Sequence, residues 1–155
     1  MCMPERMFLR EPLPEERQEL PPELSGNGFR LIAHSQKIYL PTGAPAFFFD
    51  VLSDAGDKVG IANVIVEPDR TSVASVGNLC AMLSEECLNV ELLSKVADTL
   101  IGYSFDAGLP EVLIVVPVAH APSTEACTLL RPASSTIACT KAGEDAIAYT
   151  YRRAR

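Results

Sequence analysis

The side chains able to do chemistry in this 155-residue chain are few and widely separated. Only two histidines occur, His34 and His120. Neither belongs to an HxxxH or HxE pattern, so the spacing offers no metal centre. There is no Gly-rich phosphate loop and no Gly-x-Ser-x-Gly elbow, which makes kinase and serine-hydrolase readings unattractive. The five cysteines (Cys2, Cys80, Cys87, Cys127 and Cys139) are odd in number and lack CxxC spacing. Buried free thiols in a reducing compartment account for them better than a disulfide framework. His120 is the most informative of these groups. It follows a strongly apolar run, where an imidazole that can serve near neutral pH could hydrogen-bond a substrate or cofactor; a loop histidine also serves simply as a surface residue.

Around these groups the composition narrows the field. Thirteen Lys plus Arg against 20 Asp plus Glu leave a net charge of -7, which favours solubility and disfavours a nucleic-acid partner, because phosphate binding needs a basic face. No stretch approaches the ~20 apolar residues of a membrane span, and the N-terminus has no apolar signal region. A soluble cytoplasmic protein, one domain over residues 1–155, is the expectation.

The elements that must position any site centre on residues 89–118. Leu92, Leu93, Val96, Ala97, Leu100, Ile101 and Phe105 recur three and four apart, the pattern of an amphipathic helix. Asn89 suits its N-cap, Glu91 its first turn and Gly108 the left-handed position after its end. Val112-Leu113-Ile114-Val115-Val116 follows, a run without a polar side chain, read as a strand near the centre of a sheet with both faces covered. Upstream, Met7–Arg10 fits a short strand. Residues 1–28 form a proline-rich arm, with either a short helix from Pro14 to Leu20 or partial order. Strands fit 29–33, 46–52 and 58–66, and a third meander strand fits Ser72 to Leu83 with Gly77 as a bulge. Downstream, Ser123 fits the cap of a short helix, and a closing hairpin joins 135–140 to 145–151. The order is that of an α+β, or mixed α/β, domain.

This order and the local sequence resemble the GNAT (Gcn5-related N-acetyltransferase) superfamily, and within it the group that acetylates ribosomal-protein N-termini. Lys58-Val59-Gly60-Ile61-Ala62 looks like that group's hydrophobic-Gly-hydrophobic strand. Tyr103-Ser104-Phe105 with Gly108-Leu109-Pro110-Glu111-Val112 looks like its helix end and entry to the next strand. Val116-Pro117-Val118-Ala119-His120-Ala121-Pro122-Ser123 looks like its Val-x-Pro-x-Asn-x-x-Ser segment, with His120 where Asn is usual. The resemblance implies a mixed, mostly antiparallel sheet of about six or seven strands, flanked by helices and split into a V. Acyl-CoA, acetyl-CoA above all, would lie in the split, and an amine would accept the acyl group. The pantetheine arm would run along Met82 and Leu83. The pyrophosphate would rest on Leu88-Asn89-Val90-Glu91-Leu92-Leu93 at the helix N-terminus, where unpaired amides and the dipole favour anions, with His120 and Ser123 close by. Catalytic roles would fall to Glu67 as base, Cys127 as the acid at the leaving thiolate, and His120.

The pyrophosphate motif is degenerate. Leu88 replaces a basic or amide residue, while Glu91 and Leu93 replace small ones. Two readings therefore stand side by side: an N-acyltransferase, or a catalytically silent relative acting as a binding, sensor or dimerisation module. A homodimer, through the C-terminal strands or the arm, is expected of the second.

Overall fold

The structure, a computed structural model, describes residues 8–153. Met7, the start of the expected first strand, lies outside them, and β1 is Leu9–Arg10. The arm that follows is ordered. Pro14–Glu16 form a single 3-10 turn in place of a helix to Leu20. The Gln36 side chain then holds the arm down, donating to Glu16 O (3.0 Å) and accepting from Gln18 N (2.8 Å). Strand β2 (Leu24–Gly26) and β1 both pair antiparallel with β3 (Phe29–Tyr39).

Strand β3 runs six residues beyond the span read from alternation, for a local reason. Phe29 and Leu31 are buried, then Gln36 and Ile38. The buried set changes from odd to even because a bulge between Ala33 and Ser35 adds one residue to the strand, and a one-residue insertion exchanges the two faces. Strands β4 (Ala44–Ser53), β5 (Lys58–Ile65) and β6 (Leu79–Leu83) continue the antiparallel meander. The expected strand from Ser72 is shorter than its sequence suggests. The Asp69 carboxylate accepts from Thr71 N (3.1 Å) and the Ser72 hydroxyl (2.8 Å), an Asx-type local bond that competes with strand pairing. Residues 69–77 therefore coil into turns that end on Gly77, at φ +78°.

Helix α1 (Val90–Asp106) matches its reading at both ends: the Asn89 side chain accepts from Leu92 N (2.8 Å), and Gly108 takes φ +105°. Its buried face carries Leu93, Val96, Ala97, Leu100 and Ile101. These pack on Phe29, Leu31, Phe49 and Val51 and on Val112, Ile114 and Val116 of β7 (Glu111–Pro117). The Phe49 and Tyr103 rings meet edge to face at 6.1 Å. On the other face, Leu113 and Val115 join Tyr39, Ile65, Val73, Ala146 and Ala148. Both faces of β7 are thus covered, as its composition demands.

The expected central position of β7 is corrected. It is the edge of a second, three-stranded sheet in the order β7-β9-β8, where β8 is Ser134–Cys139 and β9 is Asp145–Arg152. Helix α2 (Ala121–Leu129) follows β7, with Ser123 as its third residue rather than its cap. Pro122 fits the first helical turn without loss of a hydrogen bond, so the helix begins three residues early. The result is the mixed α+β architecture expected: a curled six-stranded sheet, a second sheet and two helices.

Candidate active site

Among the described residues the two sheets are bridged by main-chain hydrogen bonds at one point, and the site opens from it. Asn78, 2% exposed, donates from Nδ2 to Ile65 O (3.1 Å) and Glu67 O (2.8 Å), while its Oδ1 accepts from Leu113 N (2.9 Å). Its backbone completes the junction: Asn78 N donates to Leu113 O and Ile65 N to Asn78 O, both at 2.6 Å. Gly77 must be glycine here. A Cβ would lie 2.9 Å from Leu113 O and 3.0 Å from Val115 N. Arg70 adds an outer tie, reaching Glu111 Oε2 (2.9 Å) and Thr150 Oγ1 (2.7 Å).

Beyond this vertex β6 and β7 leave in the same direction and separate, the one pairing with β5 and the other with β9. The space between them is a cavity of about 390 Å³. Leu79–Leu83 form one wall and Ile114–Pro117 the other, with α1 contributing Leu93 and Ala97 and α2 contributing Ala126 and Cys127. His120, Ser123 and Glu144 supply polar groups. Among the described residues, no Lys or Arg lines it.

The residues singled out from sequence divide. Met82, Leu83, Leu88, Leu93, His120, Ser123 and Cys127 line the cleft, whereas Asn89, Val90, Glu91, Leu92 and Glu67 do not. Glu91 points to solvent and pairs with Lys95 at 2.9 Å, an ordinary pair one helical turn apart, so its carboxylate is not aimed into the cleft. Glu67, 8% exposed, sits at the closed end of the V, where its carboxylate accepts from Asp69 N (2.8 Å). Glu144, in the turn between β8 and β9, is the carboxylate that lines the cleft. Nothing in its local sequence marks it, because its place depends on how the second sheet docks.

Cys127 is 4% exposed, and burial pushes its thiol up to about 11 while the Tyr151 hydroxyl pulls it back in part. The thiol is therefore protonated at neutral pH. Tyr151, itself pushed upward by burial and then by Cys127, donates to Cys127 O (2.5 Å). Among the other cysteines, Cys87 and Cys139 are free, but Cys80 is disulfide-bonded, which corrects the expectation of free thiols at that position. His120 Nδ1 lies 2.5 Å from Ser123 Oγ. Among the described residues, no group of three or more His, Cys, Asp or Glu could hold a metal ion, and no helix is long and apolar enough to cross a membrane.

Two diverging parallel strands thus hold an apolar cleft between them, with a helix across one face and a second helix at the mouth. The fold is similar to that of a solved structure described as a "Putative Acetyltransferase" from Acinetobacter baylyi ADP1, with TM-score 0.52 and 10% identity over 70% of this chain and 63% of that one. This chain thus spans less than two thirds of its neighbour's length. No protein-family model and no curated protein sequence matches it. The fold is GNAT-like.

Proposed function

We propose that the protein binds an acyl thioester, with acetyl-CoA or another acyl-CoA as donor, along the β6/β7 cleft and passes the acyl group to an amine. The observation that carries this reading is the split itself. It is a slot between two strands, lined by apolar side chains, with a buried protonated thiol at Cys127 and titratable groups, His120 and Glu144, along its lining. Apolar walls suit an acyl chain and a pantetheine arm. Cys127 is the proton donor to the departing thiolate. Desolvation in the largely apolar cleft raises a released thiolate in the same direction as Cys127, which favours the transfer of the proton to it. Glu144 or His120, both lining the cleft, takes the proton from the acceptor ammonium in place of Glu67, which lies outside it. A protein N-terminal amine is the first acceptor to test, because the sequence resemblance is to that group. The reading includes a single domain over residues 1–155, acting in the cytoplasm, and a homodimer.

Isothermal titration with acetyl-CoA and CoA tests it. Saturable heat supports the reading, and no heat or thermal shift at millimolar ligand removes it. A second reading, a silent binding module, is favoured by one observation: among the described residues no Lys or Arg lines the cleft to pair with a nucleotide's phosphates. Saturable binding with no turnover against an amine panel would favour this alternative.

A further inference from the structure

We propose that Ser123 and His120 form a nucleophile and base pair that moves the acyl group from the thioester to water, giving the cleft a hydrolase activity. This rests on the reading that the cleft holds an acyl thioester. The pair is unusual within its own helix. The five other Ser and Thr residues of α1 and α2 (Ser94, Thr99, Ser104, Thr124 and Thr128) all donate back to a main-chain carbonyl three or four residues earlier. That is the usual use of a helical hydroxyl. The Ser123 hydroxyl instead meets His120 Nδ1 at 2.5 Å. Nor is the imidazole a helix cap: His120 occupies the N-cap position of α2 but makes no side-chain bond to a first-turn amide. Both side chains line the cleft.

A hydroxyl within hydrogen-bond reach of an imidazole, here at the exposed rim of an apolar cleft, is the first part of an arrangement that activates a weak nucleophile. With the neutral ring's proton on Nε2, Nδ1 accepts the Ser123 proton as Oγ bonds to the thioester carbonyl carbon. The C–S bond breaks as the His120 imidazolium passes that proton to the departing sulfur, so a thiol leaves and the imidazole is neutral again. A water molecule, deprotonated by the same imidazole, then attacks the acyl-serine ester, and the serine recovers its proton. One thioester and one water give one carboxylic acid and one thiol. The GxSxG elbow, absent here, is one way to present such a serine; the first turn of α2 presents this one.

The test uses the full chain with two donors, acetyl-CoA and 4-nitrophenyl acetate, the second needing no pantetheine site. Release of thiol and of 4-nitrophenolate is followed together with intact mass and peptide mapping. The expected result is turnover of both donors, with an acetyl group found on Ser123. Ser123→Ala and His120→Ala should each lower turnover by about 100-fold or more with unchanged thermal melting, and Ser123→Cys should accumulate acylated protein. Turnover in Ser123→Ala at the wild-type rate, or no acylation of wild type by either donor, overturns the pair. If acetyl-CoA binds with measurable heat while no acyl-serine forms, the hydrolase fails and the cleft assignment stands. If the ester turns over at Ser123 and acetyl-CoA does not bind, the thioester reading of the cleft fails and with it the thioester hydrolase, leaving Ser123 and His120 an esterase pair only.

Discussion

Replacing Asn78 tests the joint on which the cleft depends. Its side chain makes three hydrogen bonds in a site 2% exposed, two as donor to Ile65 O and Glu67 O and one as acceptor from Leu113 N. Asn78→Leu keeps most of the volume and abandons all three partners at once. A buried polar group left unpaired costs about 1–3 kcal/mol, and with some relaxation the three together should cost about 3–6 kcal/mol. A domain this size is stable by only about 5–15 kcal/mol, so the variant should be severely weakened but measurable. With a urea m-value of about 2 kcal/mol/M, the midpoint should fall by about 2 M in equilibrium unfolding. Asn78→Asp at neutral pH should be at least as damaging, because it keeps the acceptor for Leu113 but turns a negative charge toward two carbonyl oxygens. A loss below about 1 kcal/mol for Asn78→Leu, with m unchanged, would refute the claim that this side chain bolts the sheets together.

Other outcomes follow from the same geometry. Gly77→Ala should lose about 2 kcal/mol or more by urea unfolding, since the residue is left-handed and its Cβ would press on Leu113 and Val115. Leu100→Ala, at a site with 0% exposure on the inner face of α1, should cost about 2–5 kcal/mol; a loss under half of the low figure would show the helix to be peripheral. Iodoacetamide at about pH 8 should modify exposed Cys139 and spare Cys127, whose thiol is buried and raised to about 11; peptide mapping reads the difference, and rapid labelling of Cys127 in the folded protein would contradict the packing. The two bonds from Arg10, at 2.6 and 2.7 Å, with help from Leu13 N, hold the Glu16 carboxyl at about 2 against an ordinary 4.5. A lowered folded pKa contributes stability above pH 4.5 that is lost as pH falls toward 2, and Glu16→Gln should flatten that acid limb.

The sequence by itself determined the local elements whose physics is short-ranged. Helix α1 was legible from end to end, because three-and-four spacing, the Asn89 cap and Gly108 agree with one another and need no distant partner. The apolar run of β7, the neighbouring strands read at 46–52 and 58–66 and the closing hairpin were legible for the same reason. Errors arose where a non-local contact or a competing local bond took over. The bulge near His34 hid the second half of β3, the Asp69 carboxylate diverted 69–77 from a strand, and Pro122 started α2 early. Only the tertiary structure decided the site. Whether β7 is central or an edge depends on which strand comes to lie beside it, and Asn78 admits β6 at a single point. That one contact opens the cleft, leaves Glu67 at its closed end, turns Glu91 to solvent and brings Glu144 in from the far hairpin. Residues distant along the chain meet by packing, and packing leaves no periodic trace in the sequence.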